Sequence, residues 1–144
     1  MTYRSFSADL SRFGVTVDKR CTAAIRKAAL TALETVQERN PVDTGWSRGS
    51  WLLSVNTPGK GVYSWRLGTW VSNNRPRGNK PPKGVTMGIP AQPKHLEALR
   101  WNDRVYLSNN VPYVGFVEAR AGMLAYAIRF TARKLERLAF EMAK

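Results

Sequence analysis

The chain has 144 residues, 43% of them hydrophobic, a net charge of +13 and a single cysteine. That length supports one domain with a real core, no apolar run approaches the roughly 18 residues of a membrane span, and the lone Cys21 excludes an intrachain disulfide. The opening MTYRSFSADL has no apolar stretch of the kind a secretory leader needs, so folding in a cytoplasm is expected.

Residues 16–39 predict a long amphipathic helix. Val17, Cys21, Ala24, Ile25, Ala28, Ala32, Leu33 and Val36 recur at steps of three and four and form one apolar stripe. Thr16 or Asp18 can cap its start, and the Asn40-Pro41 step should end it. Ahead of it, Phe6, Leu10 and Phe13 suit a separate helical turn broken near Gly14. Cys21 lies on the stripe and reads as a small core residue.

A turn at Asp43-Thr44-Gly45 leads to SWLLSVNT, where Trp51, Leu53 and Val55 alternate with Leu52, Ser54 and Asn56 as in a half-buried strand. After Pro58-Gly59-Lys60-Gly61, the segment VYSWRLGTW predicts a second strand, so residues 50–70 read as one hairpin. Residues 72–95 hold five of the eight prolines and no acidic residue. They predict an extended basic loop presenting Arg75, Arg77, Lys80, Lys83 and Lys94, with a short extended piece over Val85–Ile89. A further strand is expected over 103–108, a short helix over 112–119 opened by Pro112, and a C-terminal helix over 123–143. The last carries Leu124, Ile128, Ala132, Leu135, Leu138 and Met142 on one stripe. The economical architecture is a single α+β domain spanning 1–144, with two long helices packed on a small antiparallel sheet.

The charge is concentrated in the middle, where residues 41–95 hold eight basic side chains and one acidic. Such a field favours a nucleic acid, an acidic protein surface or anionic lipid; its plainest use is solubility. Trp65, Arg66, Trp70, Arg75 and Arg77 interleave aromatic and basic residues as nucleic-acid binders do, without any of the known binding motifs. Trp46, Trp51, Trp65 and Trp70 otherwise read as core or subunit-interface residues.

Catalytic chemistry is poorly supplied. His95 is the only histidine and sits in the Pro-rich loop, far in sequence from Cys21. No Cys/His cluster or Gly-rich phosphate loop occurs, so neither metal nor cofactor is expected. Asp43 and Glu118 are the two acidic residues that do not look like helix-surface partners. An aspartic-protease use of Asp-Thr-Gly needs two such carboxylates in one site and apolar strand residues before the motif; here a helix and a proline precede it. The structural alternative is a tight turn, bonded by Asp43 or Thr44, with Gly45 at positive φ.

The helix ending in NPVDTGWSRGSW, followed by strands, resembles the tail-completion or neck family of tailed bacteriophages with long tails of the lambda type. The matching positions are Pro41, Val42, Asp43, Thr44, Gly45, Arg48 and Ser50. A second stretch, NNVPYVGFVEARAGM, supplies Asn110, Pro112, Tyr113, Glu118, Gly122 and Met123 in the same order as the family. It departs in one place: the family's glycine soon after the glutamate is delayed here to Gly122. The resemblance spans roughly residues 10–140 but gives no counterpart for 72–95.

It implies a non-enzymatic virion protein, assembled in the host cytoplasm as a homo-oligomeric ring, expected to be a hexamer. That ring would join the head connector and head-completion proteins to the tail tube or tail terminator around the DNA channel, with non-specific DNA contact and no membrane. Asp43, Thr44, Gly45 and Arg48 would then shape a turn, and the basic loop would face DNA or a partner. A small basic DNA-binding protein is the alternative.

Overall fold

The computed structural model describes the backbone of residues 3–72 and 75–144, and side chains from residue 10 onward except that of Met142. Asn73 and Asn74, at the head of the expected loop, lie outside the described residues, as do the side chains of Phe6 and Met142. Among the described residues there are four α-helices: α1 (Tyr3–Arg39), the single-turn α2 (Trp46–Gly49), α3 (Val114–Ala121) and α4 (Met123–Met142). Four strands, β1 (Trp51–Val55), β2 (Gly61–Ser64), β3 (Thr69–Ser72) and β4 (Val105–Asn109), complete the regular structure. The fold is α+β. No helix among the described residues is long and apolar enough to cross a membrane.

The expected break at Gly14 does not exist. Helix α1 is continuous over 37 residues, and Thr16 is no cap: its hydroxyl donates to the Arg12 carbonyl inside the helix at 2.9 Å. A glycine in a helix interior costs about 1 kcal/mol without ending it. The break comes where the Asn40-Pro41 step demands it, one residue beyond Arg39.

The single expected hairpin is two separate pairings. β1 pairs antiparallel with β4, in the register Trp51↔Asn109, Leu53↔Leu107 and Val55↔Val105. β2 pairs with β3, Val62 opposite Val71 and Tyr63 opposite Trp70. The chain is turned away from β1 at Asn56, a non-glycine residue at φ 64°. There the Asn56 N–H donates to the Arg104 carbonyl at 2.7 Å, while its side-chain oxygen accepts from the Arg104 N–H at 3.0 Å. Residues 57–60 then pass under β1; a Cβ at Gly59 would lie 2.5 Å from Leu52 Cδ2. Trp65 and Leu67, expected in a strand, stand exposed on the β2–β3 turn.

Two apolar clusters result. The larger joins Ala29, Leu33 and Val36 of α1, Trp51 and Leu53 of β1, and Met123 and Ala127 of α4. So the two long helices do cover the β1–β4 sheet. The smaller joins Trp46, Val62, Met87 and Val111. β1 lies between coverings on both sides, with Leu52 and Ser54 buried as well as Trp51 and Leu53, so it is not half-buried.

Two further expectations are corrected. The inward face of α4 is Met123 and Ala127, continued by Lys134, whose ammonium donates to the Thr31 hydroxyl at 3.3 Å. Of the expected stripe, Leu124 packs against the core and Leu138 is half-buried, whereas Ile128, Ala132 and Leu135 are exposed. Pro112 precedes α3 in a turn and does not open it.

Candidate functional site

The corner after α1 is built around Asn40, which is 3% exposed. Its side-chain oxygen accepts from the Ser47 hydroxyl (3.1 Å) and the Trp51 indole N–H (3.0 Å), and its amide donates to the Pro41 carbonyl (2.8 Å). Asn109 of β4 joins the network, donating to the Ser47 carbonyl at 2.8 Å and accepting from the Val111 N–H at 3.1 Å. Asn40 thereby ties helix, corner and strand together through a buried network.

Within the corner, Thr44 and Gly45 do what the tight-turn reading requires. The Thr44 hydroxyl accepts from the Trp46 N–H at 3.4 Å, and Gly45 has φ 76°. Asp43 does not bond the turn; it stands exposed at the mouth of a cleft of about 340 Å³ shared with Lys80 and Tyr113. Burial pushes the Tyr113 phenol above its ordinary 10.0, and the neighbouring Asp43 carboxylate pushes it the same way. Arg48 is half-buried at the end of α2, with a buried Nε that has no hydrogen-bond partner.

The segment expected to be a free basic loop is a strap fastened across this corner. The Met87 N–H donates to the Thr44 carbonyl at 2.9 Å. The Met87 carbonyl oxygen lies where a Cβ on Gly45 would stand, 2.5 Å away, and its methyl fills the space beside Gly49. Toward one end, the Trp65 N–H donates to the Asn79 carbonyl at 3.1 Å. Toward the other, the Trp70 indole donates to the Ala91 carbonyl at 3.1 Å, and Arg26 Nε donates to the Leu96 carbonyl at 3.2 Å. Gln92 is the tightest clip: its amide oxygen accepts from the Leu53 N–H at 3.0 Å and its amide nitrogen donates to the Trp51 carbonyl at 2.8 Å.

Two short 3-10 turns, Pro76–Asn79 and Lys94–Ala98, bracket the strap, and Pro81 and Met87 are buried under it. Arg75, Arg77, Lys80, Lys83 and Lys94 all remain exposed. Lys80 holds its ammonium 5.4 Å from the centre of the Tyr113 ring. The strap therefore presents its cations on a fixed support.

The tryptophans divide. Trp46 is 1% exposed, its indole donating to the Tyr63 carbonyl at 2.8 Å, and Trp51 is buried in the core; neither is available as an interface residue. Trp70 is half-buried against Tyr63, the two rings edge to face with centres 5.6 Å apart. Trp65 and Trp101 are the exposed ones. Trp101 was not singled out by the sequence, because nothing in its flanks is periodic.

Glu118, the second carboxylate of interest, is spent on structure. Its oxygens accept from the Leu124 N–H (2.9 and 3.1 Å) and the Ala125 N–H (3.2 Å), capping α4 across the α3–α4 corner. Gly122 makes that corner at φ 57°. Among the described residues no group of His, Cys, Asp and Glu gathers where it would hold a metal ion.

The fold and site define an α+β protein with a cation-bearing strap clipped over a helix–strand corner. No family profile, curated protein or solved structure matches this chain.

Proposed function

We propose that the protein is a non-enzymatic structural subunit of a tailed-phage virion, of the neck or tail-completion type. In this reading it forms a ring, a hexamer, that joins the head connector and head-completion proteins to the tail tube or tail terminator around the DNA channel. The observation that carries the proposal is that the two motifs resembling that family meet in space as parts of one corner. Tyr113 packs on Trp46 with ring centres 5.9 Å apart, and Asn109, which precedes Asn110, donates to the Ser47 carbonyl at 2.8 Å. Glu118, Gly122 and Met123 form the second corner, and Met123 is fully buried. Thr44, Gly45, Ser50, Asn110, Tyr113, Glu118, Gly122 and Met123 act in packing, capping, bonding or turning, whereas Val42 and Asp43 stand exposed.

The surface fits a subunit that works in an assembly. Leu67, Ile89, Phe116, Ile128 and Phe140 are each half exposed or more and are available as contact residues in such an assembly. A phage lacking the gene is expected to accumulate filled heads and separate tails, and native mass spectrometry of the purified protein or its neck complex is expected to find a hexamer. Normal virions without the protein would overturn the proposal.

A second reading, non-specific DNA binding, is favoured by the exposure of all five strap cations. It predicts an affinity that falls steeply between about 50 and 200 mM salt, with a log–log slope of roughly −0.9 per phosphate neutralised. Replacing Arg75, Arg77, Lys80, Lys83 and Lys94 with Gln would flatten that slope; absence of binding at the lowest salt would exclude the reading.

A further inference from the structure

The turn that follows the 3-10 segment Lys94–Ala98 presents Arg100 and Trp101 from a bonded support. Leu99, 5% exposed, anchors it. Asp103 closes it: its N–H donates to the Arg100 carbonyl at 3.1 Å, and its carboxylate accepts from the Arg100 N–H at 2.8 Å and the Asn56 amide at 2.9 Å. On this support the Trp101 side chain stands 52% exposed.

Opposite the turn runs the face of α1 that carries Asp18, Thr22 and Arg26 at steps of four, with Lys19 beside them. The two walls enclose a cleft of about 620 Å³, a size usual for small-ligand sites. Three cations, Lys19, Arg26 and Arg100, border it against one carboxylate, Asp18. Arg26 is half-buried, and its Nε donates to the Leu96 carbonyl at 3.2 Å. Its guanidinium is therefore already held in place, so contacting an anion costs it little further freedom.

A second cleft, of about 710 Å³, also borders Arg100. Lys60 and His95 line it, and its one carboxylate, Asp103, is spent on the turn. Arg100 thus stands where two clefts meet, each with more positive than negative side chains.

An indole among cations discriminates between anions. An acidic peptide uses the cations and gains nothing particular from the ring. A nucleoside phosphate uses both, its base lying on the aromatic face and its phosphate meeting the ammonium and guanidinium groups. We infer that the Trp101 cleft binds a nucleoside phosphate, with its base stacked on Trp101 and its phosphate held by Lys19, Arg26 and Arg100. Lys60 and His95, in the second cleft, are available to the phosphate of a neighbouring nucleotide, so a single strand gains more than a free nucleotide. A duplex keeps its bases paired and cannot offer one to the ring. The site uses none of the five strap cations, and it does not depend on the ring reading.

The test is fluorescence anisotropy of a labelled oligothymidylate titrated with the full chain at about 50 mM salt. Trp101→Leu weakens binding about ten-fold, within the range that one stacked base contributes, and Trp101→Phe restores most of it. Trp65→Leu, which removes the other exposed tryptophan, leaves the affinity unchanged. Arg100→Gln lowers the log–log salt slope by roughly 0.7, the share of one phosphate in a single strand. With the five strap cations replaced by Gln the dependence on Trp101 persists, which separates this site from strap binding. Competition by thymidine monophosphate identifies the source: displacement as effective as by the unlabelled strand assigns the cleft to free nucleotides, and weaker displacement assigns it to nucleic acid. Absence of binding at this salt would overturn the inference, as would a Trp101→Leu variant that binds like the parent. Polyglutamate that displaces the probe as well as unlabelled oligothymidylate does would overturn it too, since the cleft would then read charge alone.

Discussion

Replacing Gly45 with Ala is the sharpest perturbation of the corner. Two costs are separable. An L-residue held at φ 76° costs about 1–2 kcal/mol. The new Cβ would also stand 2.5 Å from the Met87 carbonyl oxygen, a backbone atom that cannot rotate aside. The strap must lift, and the 2.9 Å bond from the Met87 N–H to the Thr44 carbonyl is lost at a cost of about 1–3 kcal/mol. The sum is roughly 2–5 kcal/mol, or about 6–15 °C in Tm for a chain of this length. Gly84 is the control: at φ 86° it has nothing within 4 Å, so Gly84→Ala carries only the first cost. Urea unfolding gives both stabilities, and amide hydrogen exchange reports Met87 directly, with protection lost in Gly45→Ala and kept in Gly84→Ala. Equal losses in the two variants, or a Met87 amide as protected as in the parent, would refute the account of the strap as clamped by this glycine.

Asn40→Ala leaves the Trp51 indole and the Ser47 hydroxyl without their acceptor and is expected to cost about 2–4 kcal/mol; a Ser47→Ala cycle should show coupling of about 0.5–3 kcal/mol. Glu118→Ala removes the α4 cap and should cost about 1–2 kcal/mol in thermal unfolding, with the loss felt in helix content. Hydrogen bonds from the Asn56 side chain and then the Arg100 N–H hold the Asp103 carboxyl below its ordinary 3.8. Its contribution is therefore complete above that pH and is lost as the pH falls through the lower folded value. The Tm gap between the parent and Asp103→Ala should close in that acid range and stay constant above pH 5. The raised Tyr113 phenol works at the other end: it favours the fold below pH 10 and ceases to as the pH rises through the folded value. Phenolate absorbance should show one late-titrating tyrosine that disappears in Tyr113→Phe.

What was legible in the sequence was whatever repeats locally. The α1 stripe from Ala28 to Val36 is core, and the α+β class follows from two long periodic segments flanking short alternating ones. The partner of β1 was not legible. VYSWRLGTW follows it directly and alternates well, whereas β4 lies about 50 residues on, joined by polar contacts such as the Asn56–Arg104 exchange and the Asn109–Ser47 bond that no periodicity marks. Part of the inward face of α4 was not legible, because Lys134 looks like a surface residue and yet donates to Thr31 on the facing helix. The strap was hidden for a related reason. Proline, glycine and charge read as loop, and the clips are single polar atoms of Gln92, Trp65 and Trp70 that no periodicity marks. Thr44 and Gly45 were readable as a turn from residue type alone, whereas the role of Asn40 depends on an indole eleven residues away.

Gln92 has a wider consequence. A two-stranded sheet has two open edges, each able to recruit another chain, and β1 is apolar enough to make such recruitment harmful. The Gln92 amide occupies one N–H and one C=O of the free edge with the spacing of a peptide group, but it has no backbone to extend beyond itself. Growth of the sheet ends there. The β1 edge is thereby closed to a further strand, while the exposed helical and cationic surfaces stay open to other contacts.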